Sequence, residues 1–169
     1  MTYIPGGEAI AVPDALVVIE SSVSSSGQSL VTGNRINLST ITSLEGSWTP
    51  SVSSDIITLD AGYYYYLEAA QQAYFTGSTS SSAYIETQWY NETTSASVGT
   101  IGLMHISIYE DSNLTSSDEV ACLLIDATAS AVDVSVKIGG FSIFSSINSS
   151  NTQNIYAGYG RQLIWRLTP

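Results

Sequence analysis

Charge is what this chain has least of, and the shortage is lopsided. Only 11% of its 169 residues are charged, where an average soluble domain carries about 25%. Fifteen acids face four bases (Arg35, Lys137, Arg161 and Arg166), for a net charge of −11. A nucleic-acid partner needs a basic stripe that displaces counterions from phosphates, and four scattered bases cannot form one. An anionic membrane surface is disfavoured for the same reason. Any charged partner is expected to be basic, and free subunits are expected to stay soluble by mutual repulsion.

Nucleophiles and bases are as scarce. Cys122 is the one cysteine, so no intramolecular disulfide can form. It sits in VACLLI with no basic residue nearby in sequence to lower its pKa, and reads as a small, inert apolar side chain. His105 is the one histidine, and any Ser-His-Asp or Cys-His system would have to use it. In LMHISIY it shares a strand face with Ser107 and Tyr109, opposite Met104, Ile106 and Ile108, and no GxSxG elbow accompanies it. One cysteine and one histidine cannot make a structural zinc site. The glycines at 99, 102, 139, 140, 158 and 160 suit turns and bulges, and none leads into the Lys-Ser/Thr of a P-loop. The expectation is a non-enzymatic protein with no cofactor and no metal centre. No apolar run approaches the roughly 20 residues of a membrane span. The opening MTYIPGGEAIAVPDAL lacks the basic and apolar regions of an export leader. Synthesis in a cytosol without individual secretion is therefore expected, compatible with a later place on a particle.

What is present instead is serine, threonine and asparagine alongside 44% hydrophobic residues. These polar residues suit strand surfaces and turns and are poor helix formers. Residues 1–15, with Pro5, Gly6, Gly7 and Pro13, read as an extended N-terminal arm. Residues 16–169 read as a single β-sandwich domain, long enough to bury roughly 70% of its unfolded surface. Short β-rich segments recur between turn signals: LVVIE (16–20), NRINL (34–38), IITLD (56–60), AYIETQWY (83–90), IGLMHISIY (101–109), DEVACLLIDA (118–127), AVDVSVKI (131–138), FSIF (141–144) and RQLIWRL (161–167). GSTSSS (77–82), NETTSAS (91–97) and SNLTSS (112–117) read as loops. In AVDVSVKI the valines and Ile138 are expected inward; in RQLIWRL the inward set is Leu163, Trp165 and Leu167. LEAAQQA (67–73) has helical propensity, but its tyrosine and phenylalanine flanks favour one continuous strand.

The densest feature is GYYYYLEAAQQAYF (62–75). Successive strand side chains point to opposite faces, so Tyr64 and Tyr66 share one face and Tyr63 and Tyr65 the other. A sheet with one face in water covers only one of these sets. The strand is either sandwiched inside the subunit or buried on its second face by another subunit.

Other candidates carry less. Glu110-Asp111 and Asp118-Glu119 flank SNLTSS and could converge on a calcium ion, which takes six to eight oxygens, but their spacing does not match an EF-hand. Asn37, Asn91, Asn113 and Asn148 head glycosylation sequons, expected by chance in so serine-rich a chain. Trp89-Tyr90, Tyr156 with Tyr159, and the tyrosine run are aromatic groups that could form a platform for a sugar or a protein.

With the strands placed, the second half resembles the jelly roll of tumour-necrosis-factor-like and C1q-like trimers. GYYYYLEA (62–69) is similar to the glycine-plus-aromatics opening of a central strand in that superfamily. SDEVACLLI (117–125) resembles its acidic turn into a later strand, with Ser117 in place of the usual glycine, and YGRQLIWRL (159–167) matches the apolar terminal strand. No collagen-like stalk precedes the domain. The whole looks most like phage structural proteins bearing this fold, either head-decoration proteins or fibre knobs.

The resemblance implies an all-β jelly-roll sandwich of about eight to ten strands, and a homotrimer whose axis is lined by apolar and aromatic residues. We assign Tyr63, Tyr65, Val120, Cys122 and Leu124 to that interface. The expected role is decoration or cementing of a phage capsid, with the major capsid protein or another virion protein as partner and the virion as location. The alternatives are a receptor-binding knob recognising a host-surface glycan or protein, and a monomeric carbohydrate-binding module.

Overall fold

In a computed structural model, the backbone is described for residues 12–21, 28–29, 31–75, 81–109, 112–117, 119–144 and 155–169, and side chains for 12–21, 28, 31–71, 84–103, 119–140 and 160–169. The described residues form twelve strands and no helix: β1 (Val12–Ser21), β2 (Gln28–Ser29), β3 (Thr40–Glu45), β4 (Ser51–Ser53), β5 (Ile56–Leu59), β6 (Tyr64–Phe75), β7 (Ser81–Asn91), β8 (Ala96–Tyr109), β9 (Ser112–Ser117), β10 (Ala121–Asp126), β11 (Val132–Phe144) and β12 (Ile155–Thr168). They make two antiparallel sheets, β10-β6-β12-β1-β3 with β2 attached to β12, and β4-β5-β11-β7-β8-β9.

The pairing is nested: β1 lies beside β12, β5 beside β11, β6 beside β10 and β7 beside β8. The chain thus behaves as one long hairpin rolled into two sheets, which is a jelly roll. The core fills the space between them. Val17, Ile19, Leu67 and Ile164 from the first sheet meet Ile57, Leu59, Ile85, Trp89 and Val134 from the second, all at 0% exposure. Burial of each such side chain contributes about 1.5–3 kcal/mol.

Several expectations hold. β6 runs unbroken through LEAAQQA, and Val132, Val134, Val136 and Ile138 are buried. Others change. SNLTSS is not a loop but β9, an edge strand paired with β8; serine and threonine tolerate a strand edge that has no apolar face to announce it. The short β2 and β4 raise the strand number above the expected range. β1 begins at Val12, so the arm boundary at residue 15 falls inside a strand, and residues 1–11 lie outside the described set. In β12 the core-facing residues are Gly160, Gln162 and Ile164, so Leu163, Trp165 and Leu167 point away from the core. Both faces of this strand carry bulky apolar residues. Register decides between them: Ile164 sits between Leu67 of β6 and Val17 of β1, both fully buried.

The two sides of the sandwich are tied by specific crossings. The β7–β8 register jumps from Ile101 to Val98, bulging Gly99 and Thr100 toward β10. Gly99 adopts φ +75, and a Cβ there would run into the Cys122 carbonyl oxygen. Thr100 Oγ1 accepts the Cys122 N–H at 2.8 Å, and the Trp89 indole N–H donates to the Ala121 carbonyl at 3.0 Å. On the opposite side Ile36 N–H donates to Val136 O at 2.9 Å, and Ser39 N–H donates to Glu20 O at 2.7 Å. This carries the chain from the flank of β11 to that of β1. The outer faces of the two sheets are the large surfaces left open.

Candidate self-assembly face

Directly opposed residues of an antiparallel pair share a sheet face, so the outer surface of the first sheet reads as rows across β10, β6, β12 and β1. One row is Leu124, Tyr66, Trp165 and Leu16; the next is Cys122, Glu68, Leu163 and Val18. On the other side of the first row lie Asp126, Tyr64, Leu167 and Pro13. The far border is Ala70, Arg161 and Glu20. Ten of the twelve residues in the first three rows are uncharged, and the middle row is wholly apolar or aromatic.

Within the patch Tyr66 and Trp165 pack with ring centroids 5.3 Å apart at 39°. The Tyr66 hydroxyl donates to Glu68 Oε1 at 3.0 Å. Its pKa is pushed well above the ordinary phenol value, first by its hydrogen bond with the Cys122 side chain and then by that with the Glu68 carboxylate. Leu124 is 68% exposed.

The expected interface residues divide between two faces. Val120 and Leu124 are exposed, and Cys122 is a half-buried free thiol. Tyr65 is corrected: it is fully buried in its own subunit, with its hydroxyl donating to the Asp60 carbonyl at 3.1 Å and its ring 5.4 Å from that of Trp48. Burial, first of all, pushes the Tyr65 pKa well up. Tyr63 packs against the same core under the Arg166 guanidinium, 4.2 Å from its ring centroid. That guanidinium is held by a two-pronged contact with Asp14, both bonds 2.9 Å. The cause of this correction is register. Tyr65 opposes Ile125 and Tyr66 opposes Leu124, so Tyr64 and Tyr66, not Tyr63 and Tyr65, share the face of Cys122 and Leu124. The alternation of RQLIWRL correctly grouped Leu163, Trp165 and Leu167 on one face but placed that face inward.

The second sheet turns a polar face outward. Glu92 Oε1 gathers Arg35 Nε at 2.8 Å, Lys137 Nζ at 3.1 Å and the Ser135 hydroxyl at 2.7 Å. Arg35, foremost, holds the Glu92 carboxyl down to about 2. Lys137 also lies over the Tyr90 ring, 3.2 Å from its centroid. The Trp89-Tyr90 platform is thereby corrected: Trp89 is core, and Tyr90 is capped. A polar hollow of about 350 Å³ opens beside this network, lined by Gln28, Asn34, Asn37, Asp55 and the two cations.

Among the described residues no group of three or more His, Cys, Asp or Glu could hold a metal ion. Glu110, Asp111 and Asp118 of the expected acidic site lie outside the described residues, as do the side chains of His105, Tyr156 and Tyr159.

Fold and face together define a class: a jelly-roll sandwich with one polar outer surface and one apolar, aromatic outer surface. No protein-family model matches the chain, and no curated protein matches it.

Proposed function

We propose that this chain is a non-enzymatic structural protein that assembles as a homotrimer through the outer face of its first sheet and decorates or cements a phage capsid. The observation that carries the reading is the row Leu124, Tyr66, Trp165 and Leu16 with its apolar neighbours. A water-facing antiparallel sheet is apolar inward and polar outward. The second sheet obeys that rule and the first does not, and a contiguous apolar patch of this kind marks a contact surface. A closed threefold ring needs two different patches on each copy, which four strands of one face can supply. Contacts of about 1,600 Å² each would suffice. The virion assignment draws on the resemblance of GYYYYLEA and SDEVACLLI to phage-borne jelly rolls. The charge of −11 suits basic capsid residues as anchors.

Light scattering of the purified protein over a range of concentrations tests the assembly. A trimer has a mass of 3 × 18.0 = 54 kDa; a monomer at every concentration would overturn the proposal and bring forward a monomeric carbohydrate-binding module. Co-sedimentation with phage capsids stripped of decoration tests the role. Removing residues 1–11, which leaves β1 whole, is expected to abolish capsid binding and keep the trimer. A second reading, the receptor-binding knob, draws on the polar hollow beside Arg35 and Lys137. Binding on a glycan array without capsid binding would select it.

A further inference from the structure

Of the four bases, three are already tied to carboxylates: Arg35 and Lys137 to Glu92, and Arg166 to Asp14. Arg161 makes no ion pair with any described residue. It is exposed and stands on the apolar outer face, in register with Ala70 of β6 and Glu20 of β1. Glu68 stands on the same face, between Cys122 of β10 and Leu163 of β12. Its carboxylate takes a hydrogen bond from Tyr66 and has no cation within its own subunit among the described residues. An acid in the middle of an apolar patch is tolerable while water reaches it. Once a partner covers the patch, an uncompensated carboxylate becomes costly, and the usual remedy is an opposite charge brought by that partner.

The two charges also divide the face. The β10–β6 half carries Asp126 and Glu68 and no base; the β12–β1 half carries Glu20 and, in register with it, Arg161, the base of this face that makes no ion pair among the described residues. In a cyclic assembly each copy presents one patch to a different patch of its neighbour, so the two halves of this face are the natural pair. We infer that Arg161 of one copy neutralises Glu68 of the next, so that the partner of this face is a second copy of the chain, fixed in register by that contact. The inference rests on the proposed self-assembly through the same face. It adds the charge pair that sets which half meets which.

The experiment is a charge-exchange series read by the dissociation constant of the assembly, with far-ultraviolet circular dichroism confirming that each variant folds. Both side chains point outward from the sandwich, so folding is expected to survive. Wild-type mass is measured first. A wild-type monomer ends the underlying assembly reading, and the pair with it. If wild type assembles, Glu68→Arg and Arg161→Glu are each expected to weaken association by at least ~30-fold, the range for breaking a buried interfacial charge pair. The combined E68R/R161E variant is expected to recover most of that loss.

Mixing the two single variants separates a contact between copies from one within a copy. In a mixed ring two of three junctions carry opposite charges, so the mixture is expected to assemble where neither variant does alone. Assembly of the single variants at wild-type strength would overturn the inference while leaving self-assembly standing. A double variant no better than the sum of its parts would overturn it as well, and so would a mixture that stays dissociated.

Discussion

The outer faces of the two sheets are built from similar strands and do opposite things with them. On the second sheet, β11 alternates cleanly. Val134 and Val136 go to the core; Ser135 and Lys137 go out, where they join Arg35 around Glu92. Polar groups there bond to one another, and Ser135 is fully buried beneath them although it faces away from the core. On the first sheet, β6 and β12 alternate one apolar set with another, and the polar contacts of the outward set are few, such as the Tyr66 hydroxyl on Glu68 and the Thr128 hydroxyl on Asp126. A polar network satisfies itself within the subunit, and adding a partner would gain it little. Apart from Glu68, an apolar face has little to lose by being covered, and roughly 25 cal/mol to gain for each Å² removed from water. The comparison separates the faces: one satisfied within the subunit, the other the face of the proposed assembly.

The sharpest way to break it is to truncate two adjacent tyrosines of β6. Tyr65→Ala removes a core ring packed on Trp48 and is expected to destabilise the subunit by about 3–5 kcal/mol in denaturant titration. Tyr66→Ala, one residue on, is expected to leave monomer stability within about 1 kcal/mol but to shift the assembly midpoint to much higher concentration. Equal effects of the two substitutions on unfolding would mean that the outer face is not an unpartnered surface.

That pair also shows how far the sequence could be read. The all-β sandwich was legible because strand segments, turn residues and the absence of helix formers agree. AVDVSVKI was legible down to single residues because only one of its faces is apolar. GYYYYLEA was legible as two-sided but not as to which side was which, and RQLIWRL was read with Leu163, Trp165 and Leu167 inward where Ile164 is the core residue, since period-2 alternation fixes parity and not direction. Direction comes from pairing with strands remote in sequence: Ile164 with Val17, and Tyr65 with Ile125. The Glu92 cluster was invisible for a similar reason. It joins Arg35, Glu92 and Ser135, separated by 57 and 43 residues, and nothing local in the chain links them.

The join between the sheets offers the next test. Gly99 is left-handed and abuts the Cys122 carbonyl, so Gly99→Ala combines backbone strain with a steric clash and is expected to cost about 1–3 kcal/mol. If the bulge exists to hold β10 beside β8, hydrogen exchange at the Cys122 amide, which donates to Thr100, will accelerate more than exchange at Val134, within β11. Uniform acceleration would show a general loss of stability and no special role for the join.

The satisfied face is tested by acid. The folded Glu92 value of about 2 lies below the ordinary 4.5. Its contribution is therefore fully present above the unfolded value and is lost as pH falls from about 4.5 to about 2. Glu92→Gln is expected to lower stability at neutral pH by about 1–2 kcal/mol, reduced from the full electrostatic value by solvent around Arg35. It is also expected to flatten the acid limb in that window. The wild-type dependence persisting in the variant would place the acid sensitivity in other carboxylates. The proposed assembly, which uses the first sheet, is expected to be indifferent to this change.

The smallest effect on folding belongs to the most exposed apolar side chain of the open face. Leu124 is 68% exposed and contributes little to its own subunit, so Leu124→Ser is expected to change unfolding free energy by no more than about 0.5 kcal/mol. In the assembly the same side chain would be covered, and its loss is expected to weaken each junction by about 5–10-fold, the equivalent of roughly 1–1.4 kcal/mol. The residue thus separates the two meanings of burial more cleanly than any aromatic on the patch, because almost nothing in the folded monomer depends on it. An unchanged dissociation constant would leave β10 outside the contact and move the edge of the interface inward to Tyr66 and Trp165. A loss as large as that from Tyr66→Ala would instead place Leu124 near the centre of the junction, where β10 of one copy meets its neighbour.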